Sequence, residues 1–291
     1  MSRQELDRAA YTLAKNLLLH SGAERGVTPE LIEKYLYLST PRPTTLAGLY
    51  ERILESAQSA NMKAGVIGGS IDGVGKLGRV LCDFDPSQVL EKYPSGWEDV
   101  LDDIVTHLKP RGRVSRTSRS IWPRYCHTVL SGARFLSGFS SAEDFYGWVD
   151  FFDEDERARP ALPLLVAQEI EGIGFALACD FLKELGYENF SKPDVHVKEI
   201  FWATGLSPLG TSDYEVFKDV ARVARNAGVT PYNVDKLFWL VGSGYFYEDP
   251  QVGNRGKIGS QKKRFIEVAK EQLEERQTSP YAELERGPGK G

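Results

Sequence analysis

The apolar residues of the chain recur at the spacing of amphipathic helices. The first stripe consists of four residues three or four positions apart: Leu6, Ala10, Leu13 and Leu17. This interval keeps their side chains on one face of a helix. The same pattern recurs over residues 46–54, 101–108, 125–137, 162–170, 175–185, 195–203, 213–227, 231–241 and 260–275. Because strand-like alternation is hardly visible, we predict an all-α protein of about ten helices.

Stretches rich in glycine, proline and polar residues separate these segments, at 39–45, 65–78, 109–120, 205–211 and 250–260. One of them, around Gly75 and Lys76, has the glycines of a phosphate-binding loop. That loop would need a glycine at position 70 and a hydroxyl residue at 77, but the chain has Ser70 and Leu77 there. We therefore expect a plain connection between helices.

The size and composition of the chain are those of a folded protein. Its 291 residues suffice for one large domain or two ordinary ones, and 41% hydrophobic with 26% charged residues argues against disorder throughout. No apolar run approaches the ~20 residues of a membrane span. The N-terminal residues include acids where a signal peptide needs an unbroken apolar stretch. We expect a cytoplasmic protein without a membrane partner.

Potential metal ligands are few and widely spaced. Cys82, Cys126 and Cys179 form neither a disulfide framework nor a C-x-x-C pair, and three thiolates are too few for a four-cysteine iron–sulfur cluster. The four histidines show no metal-binding spacing. The sequence therefore predicts no iron–sulfur cluster and no tightly held transition metal.

Positive charge is concentrated in one segment, although the formal net charge is −5. Between Asp103 and Glu143 there is no acidic residue, and this interval holds Lys109, Arg111, Arg113, Arg116, Arg119, Arg124 and Arg134. Such a cluster on an acidic protein fits a polyanionic partner. It fits equally a solvated loop whose charges are balanced by acids nearby in space.

The most specific pattern is a pair of helices joined by a tight turn. The apolar helix over 162–170 leads into Glu-Gly-Ile-Gly at 171–174, and a second helix follows over 175–185. The two glycines permit a positive φ and a close approach of a ligand to the backbone. Because the turn directs N–H groups at the start of the second helix outward, it favours an anion.

A short motif, Lys192-Pro193-Asp194-Val195-His196, follows this turn. From the residues alone, Asp194 is expected to be the N-cap of the helix over 195–203, since aspartate is a preferred N-cap residue. A catalytic carboxylate at this position is the other interpretation, and the two roles do not exclude each other.

The turn and the motif together resemble the helix-hairpin-helix element of the HhH-GPD superfamily of DNA glycosylases, several members of which have the D-x-H form. By this resemblance the hairpin backbone binds a DNA phosphate at Gly172, Ile173, Gly174 and Ala176. Asp194 becomes the catalytic carboxylate, and His196 contacts a phosphate. Ser-Ala-Gln at 56–58 is similar to a stretch whose glutamine fills the gap left by the extruded base, which makes Gln58 the candidate for that role.

The resemblance also implies a fold, with two helical subdomains and a DNA cleft between them. The central helical domain then covers 44–193 and ends in the hairpin, while 1–43 and 194–271 form the second domain. Residues 272–291 are polar and are expected to form a flexible tail. The implied partner is double-stranded DNA, bound by a monomer.

One position departs from the bifunctional members, which carry a Schiff-base lysine two residues after the second hairpin glycine. This chain has Ala176 there. We therefore predict a monofunctional glycosylase in which water is the nucleophile and no cofactor is required. The resemblance implies at most a structural Na⁺ or K⁺ on the backbone carbonyls of Gln168, Ile170 and Ile173.

Further contacts are expected from the basic segment and its surroundings. Arg116, Arg119 and Arg124 are candidates for phosphate contacts. Trp122, Tyr125 and Trp148 are candidates for the walls of the base pocket, although aromatic residues at this spacing also fit a core. The long basic loop suits a bulky or sugar-decorated base, as in glycosylases directed against phages with modified genomes. Alkylated or oxidised purines and mismatched bases are equally compatible.

Two other classes of function remain open on the sequence. A non-catalytic helix-hairpin-helix module would use Asp194 only as a helix cap and would bind DNA without forming an abasic product. A helical protein-interaction scaffold would balance the basic segment with acids and turn the hairpin amides toward protein.

Overall fold

The structure is a computed structural model that describes residues 2–58 and 66–278, with side chains as far as residue 272. Fifteen α-helices account for most of this part of the chain. The described residues contain no sheet, only an isolated antiparallel bridge between Tyr245 and Lys257. The prediction of an all-α protein is confirmed. Within the described ranges, no helix is both long and apolar enough to cross a membrane.

The helices are, in chain order, α1 (Arg3–Gly22), α2 (Pro29–Leu36), α3 (Leu46–Ala57), α4 (Val66–Ser70), α5 (Pro86–Lys92), α6 (Trp97–Asp103), α7 (Ile121–Leu136), α8 (Ala142–Glu154), α9 (Ala161–Glu169), α10 (Phe175–Glu184), α11 (Val195–Ala203), α12 (Asp213–Ala227), α13 (Pro231–Ser243), α14 (Gly253–Gly256) and α15 (Lys262–Thr278). A π-helical turn, Ile104–Leu108, continues α6. The predicted number was too low, because helices as short as α4 and α14 show no complete apolar stripe.

The chain divides into two compact units. One comprises the residues up to Ser39 and those from Glu188 onward, and the other comprises Thr40–Tyr187. The first unit therefore contains α1, α2 and α11–α15, and the second contains α3–α10. The tail predicted over 272–291 starts inside α15, and its residues 279–291 lie outside the described part.

The core of the first unit forms where α1, α11, α12 and α13 pack on one another. Phe238 of α13 meets the rings of Phe201 and Phe265 edge to face, with centroids 5.3 and 5.6 Å away. Asp7 of α1 is fully buried here, and Arg222 of α12 donates to it from Nε at 2.9 Å. Pairing is what allows a buried carboxylate to stay charged.

The second unit is built around α7, which packs against α3, α5, α6 and α9. Tyr50 of α3 is fully buried, and its hydroxyl donates to the Val129 carbonyl of α7 at 2.7 Å. A Cβ on Gly132 would lie 3.4 Å from the Tyr50 ring, so this glycine brings the two helices into close contact. Helix α7 thereby becomes the rigid support for the elements described next.

Candidate nucleic-acid interface and catalytic carboxylate

Helices α9 and α10 of the second unit are joined by a tight hairpin. Ile170 ends α9 with extended backbone angles, Gly172 has a φ of +84°, and Gly174 is the N-cap of α10. Ile173 lies between the glycines, is only 3% exposed, and donates its N–H to the Ile170 carbonyl at 3.2 Å. The buried isoleucine fixes the turn, and the glycines leave its outer side bare.

Helix α7 holds this hairpin through two hydroxyl groups. Thr128 Oγ1 donates to the carbonyl of Glu171 at 2.6 Å, and Ser131 Oγ accepts the N–H of Glu171 at 3.0 Å. A Cβ on Gly172 would lie 2.5 Å from Thr128 Oγ1, so this position requires glycine for space as well as for its positive φ. His127 Nδ1 adds a contact of 3.3 Å with the Glu171 carboxylate.

Three backbone N–H groups of the hairpin have no acceptor among the described residues: those of Gly172, Gly174 and Ala176. No side chain caps α10. A Cβ added at Gly174 would meet nothing within 4 Å, so the space before this end of the helix is open. Since N–H groups at a helix N-terminus carry partial positive charge, this end of α10 can bind an anion.

Asp194 of the first unit is the N-cap of α11. Its Oδ1 accepts the N–H of Val197 at 2.9 Å, which confirms the capping role expected from the residues. Its second oxygen, Oδ2, has no hydrogen-bond partner in the described part of the chain, and it is not one of the buried unbonded atoms found there. One oxygen therefore fixes the side chain while the other is available to a ligand.

The surroundings of Asp194 make its carboxyl hold a proton more tightly than usual. Burial is the main cause that raises its pKa, and the nearby Asp235 carboxylate acts in the same direction. The hydrogen bond from the Val197 N–H and the charges of His196 and Lys192 oppose this shift. The net direction is upward.

The backbone just before Asp194 is held from α13. Asp235 is 3% exposed, and its Oδ2 accepts the N–H of Lys192 at 2.9 Å. The Lys192 carbonyl in turn accepts the N–H of Asp194 at 2.8 Å, which closes a three-residue turn. Asp235 was not predictable from the sequence, because an aspartate within an amphipathic helix carries no signal of a partner 43 residues away.

His196 packs against the same helix. A Cβ on Gly242 would lie 2.4 Å from the His196 Cβ, so the imidazole lies directly on this glycine. Its Nδ1 is buried and has no hydrogen-bond partner among the described residues. Any ligand of this histidine would therefore have to meet Nε2.

Gln58 ends α3 in the second unit. Its side-chain Oε1 accepts the N–H of Gly68 at 3.2 Å, which ties it to the start of the next helix. It lines an open groove of about 550 Å³ whose walls include Glu55 and Arg111. The side chain is thus half-buried and held in place.

Acids nearby in space balance part of the basic segment, as one of the two interpretations expects. Arg111 is ion-paired with Asp72 at 2.9 Å, and Arg116 is ion-paired with Asp102. Arg119 and Arg124 are exposed and form no ion pair with any described residue. The Arg124 carbonyl is 3.2 Å from Thr128 Oγ1, so this arginine stands on the helical turn next to the hairpin.

The three candidate pocket aromatics have core contacts. Trp122 and Tyr125 are 7% and 4% exposed, and the Tyr125 hydroxyl donates to the Leu54 carbonyl at 3.0 Å. Trp148 is half-buried, and its ring centroid lies 5.8 Å from that of Phe135 and 6.0 Å from that of Phe145. These rings stabilise the helices of the second unit.

The hairpin offers no lysine at the position of Ala176. The next lysine on α10, Lys183, is 7% exposed, and its Nζ lies 3.1 Å from Asp180 Oδ1. A buried amine is inaccessible to DNA, whereas a Schiff-base nucleophile must reach its substrate.

No protein family model and no curated protein matches the chain. Among solved structures it is similar to the 8-oxoguanine glycosylase/lyase of Methanocaldococcus jannaschii, crystallised in complex with a 15mer DNA containing 8-oxoguanine. The two chains are 14% identical, and the match covers 77% of this chain and 96% of the other with a TM-score of 0.48. A likeness of this size assigns neither a family nor an activity to this chain.

Proposed function

We propose that the protein is a monofunctional DNA glycosylase of the HhH-GPD type. It would extrude a damaged or modified base from duplex DNA and hydrolyse its N-glycosidic bond, leaving an abasic site. The observation that carries this proposal is the Asp194 carboxylate, in which Oδ1 caps α11 while Oδ2 has no partner among the described residues. The cap uses one oxygen of the carboxylate, so the other can act on a substrate without loss of the cap.

In the proposed reaction, water attacks C1′ of the extruded nucleotide as the bond from C1′ to the base nitrogen breaks. The base leaves with the bonding electron pair and takes up a proton, and the sugar retains the hydroxyl group of the water. Positive charge develops on the sugar in an oxocarbenium-like transition state. The ionised Asp194 would stabilise this charge and accept the proton of the water through Oδ2.

The upward shift of the Asp194 pKa supports the role as a base. A carboxylate that binds its proton more tightly is a better acceptor for the proton of water, provided that it is ionised at the working pH. The hydrogen bond from the Val197 N–H also fixes the orientation of the carboxylate. The side chain therefore loses little conformational freedom when the reaction takes place.

DNA would be held through its backbone. The N–H groups of Gly172, Gly174 and Ala176 are available to a phosphate, and the exposed Arg124 stands beside them. Arg119 would add a second long-range contact, and Arg116 a weaker one because it is paired with Asp102. A phosphate contact of His196 would use Nε2.

Gln58 is proposed to fill the gap in the duplex after the base has left. Its hydrogen bond with the Gly68 N–H would have to break for this, and an exchange of that bond for contacts with the orphaned base is energetically modest. The cost of unstacking a nucleotide is itself only a few kcal/mol.

The hairpin carbonyls fit a monovalent cation. The carbonyl oxygens of Gln168 and Ile173 accept no hydrogen bond from the described residues, and that of Ile170 accepts one, from the Ile173 N–H. We propose that Na⁺ or K⁺ binds there and neutralises part of the phosphate charge. No cofactor would take part in the chemistry.

The monofunctional assignment is supported by Ala176 and by the ion-paired, buried Lys183. Trapping with borohydride tests it separately from base release. We expect abasic product without a covalent adduct, and an adduct would show that another lysine attacks the sugar.

The test of the proposal is a panel of duplexes. It contains alkylated purines, oxidised purines, mismatches and sugar-decorated bases of the kind found in modified phage genomes, since repair and antiviral defence call for different bases. Alkali cleavage after incubation should reveal an abasic site in one class. Tight binding of the panel with no abasic product would instead indicate a non-catalytic DNA-binding module, and no binding at all would indicate a protein-interaction scaffold.

A further inference from the structure

We infer that Asp235 is a positioning residue for Asp194, which it serves by holding the turn that carries the Asp194 carboxylate. The inference rests on the proposed function for its catalytic meaning. Asp235 lies on α13, and its Oδ2 accepts the N–H of Lys192 at 2.9 Å. Lys192 then fixes Asp194 through the bond between its carbonyl and the Asp194 N–H at 2.8 Å.

This chain of hydrogen bonds connects Asp194 to a helix other than the one that it caps. The Val197 N–H holds Oδ1 of Asp194 from within α11, and the Asp235–Lys192 bond holds its backbone from another helix. Two supports from separate elements determine where Oδ2 points. A positioned group of this kind gains rate because misplacement by even ~1 Å is costly.

Besides accepting the Lys192 N–H, the Asp235 carboxylate acts on Asp194 through its charge. A carboxylate that is 3% exposed is costly to bury. Its negative charge acts on Asp194 and makes the pKa of that carboxyl higher, in the same direction as burial. Asp235 would therefore also tune Asp194 as a proton acceptor.

The other charged groups that act on Asp194 are His196 and Lys192, and both act in the opposite direction. His196 lies against Gly242 of α13, and Lys192 is two residues before Asp194. Removal of the Asp235 charge should therefore lower the pKa of Asp194, because the two remaining charged neighbours both lower it.

The first test measures the titration of Asp194 in the DNA-free, full-length protein, by carbon NMR of labelled aspartate carboxyls. The signal is assigned by its loss in Asp194→Asn. Asp235→Asn retains an acceptor for the Lys192 N–H, so we expect a folded protein in which Asp194 titrates at lower pH than in the wild type. The matched control is Asp85→Asn, a capping aspartate of the second unit, which should leave this titration unchanged. An unchanged titration in Asp235→Asn overturns the tuning of Asp194 by the Asp235 charge.

The second test is single-turnover base release on the duplex that the panel identifies. Asp235→Ala removes the acceptor and should slow release at least tenfold with unchanged affinity for DNA. Asp235→Asn should restore most of the neutral-pH rate and move the acid limb of the pH profile to lower pH. Equal rates and profiles in all three proteins contradict a positioning role.

The two tests separate this inference from the proposed function. If no duplex yields an abasic site but Asp235→Asn still shifts the Asp194 titration, the glycosylase proposal fails and the influence of the Asp235 charge on Asp194 stands. If base is released and neither substitution alters titration or rate, the glycosylase proposal stands and the role of Asp235 is wrong.

Discussion

The hydroxyl of Thr128 lies 2.6 Å from the carbonyl of Glu171, to which it donates across the gap between α7 and the hairpin. This bond attaches the turn between α9 and α10 to the most central helix of its unit. The direction in which the free hairpin N–H groups point therefore depends on a residue outside the hairpin itself.

Thr128→Val should weaken DNA binding. It removes the hydroxyl with little change in shape, so the Glu171 carbonyl loses its partner and the hairpin gains freedom. Loss of one such bond is worth ~1 kcal/mol, which corresponds to an increase in Kd of about fivefold. Binding titrations with a duplex oligonucleotide measure it.

Thr204→Val is the matched control for this substitution. The Thr204 hydroxyl donates to the Ile200 carbonyl at 2.8 Å and Thr204 is also buried, but it lies at the C-terminal end of α11. It should lower thermal stability by a similar amount without any effect on Kd. An unchanged Kd in Thr128→Val would show that the hairpin does not bind DNA.

Gly174→Ala should separate DNA binding from folding. The φ of Gly174 is −91°, which alanine adopts without strain, and the added Cβ meets no protein atom within 4 Å. A methyl group there would stand where a phosphate must approach the N–H groups. We expect an unchanged melting temperature and an increase in Kd of about tenfold, or ~1.4 kcal/mol.

Gly147→Ala in α8 supplies the comparison, since this glycine also has nothing within 4 Å of an added Cβ. Alanine in a helix interior should raise the melting temperature slightly and leave Kd alone. If both variants bind DNA with the affinity of the wild type, the hairpin N–H groups are not part of the DNA interface.

Asp194→Asn should stabilise the protein at neutral pH. The Asp194 pKa is raised in the folded state, so the stability that protonation contributes is present at low pH and is lost as the pH rises through the folded pKa. Asparagine caps a helix as well as aspartate does and carries no charge. The gain in unfolding free energy should therefore be visible at neutral pH and shrink as the pH falls.

Asp85→Asn should behave in the opposite way. The hydrogen bond from the Gln88 N–H lowers the Asp85 pKa, so its ionised form stabilises the fold above the unfolded pKa and this contribution disappears as the pH falls. Denaturant unfolding across a pH series compares the two variants. If both variants are less stable than the wild type at neutral pH, the claim that the surroundings of Asp194 disfavour its charge is wrong.

The arginines should differ in their contribution to salt dependence. Arg119→Gln and Arg124→Gln should each reduce the slope of log Kd against log salt by about one unit, because each removes one phosphate contact. Arg116→Gln should change the slope less, since Arg116 is paired with Asp102. Arg157→Gln is the control, because this exposed arginine pairs with Asp155. Equal slopes for all four variants would contradict this assignment.

Local features of the sequence predicted those helix ends and turns that depend on a single residue. Helices α11 and α12 begin after Asp194 and Ser212, whose side chains cap them, and α12 ends at a glycine with positive φ, Gly228. Gly172 of the hairpin likewise indicated the turn, because its positive φ favours glycine.

Long-range partners were not predictable. The attachment of the hairpin to Thr128 and Ser131, and the bond between Asp235 and Lys192, join residues about 40 positions apart. Hydroxyl and carboxyl side chains on amphipathic helices are common, and their spacing does not reveal which backbone group they meet. Balance of the basic segment by nearby acids was one of the two interpretations, but the sequence did not indicate that Asp102 would be the partner of Arg116.

The central claim is tested most directly by single-turnover base release from one susceptible duplex, with wild type and Asp194→Asn compared at matched occupancy of DNA. Since Asn retains the cap on α11 but supplies no charge to the oxocarbenium ion, we predict equal Kd values and a rate that is at least a hundredfold lower. Equal rates of base release in the two proteins would contradict the catalytic role of Asp194.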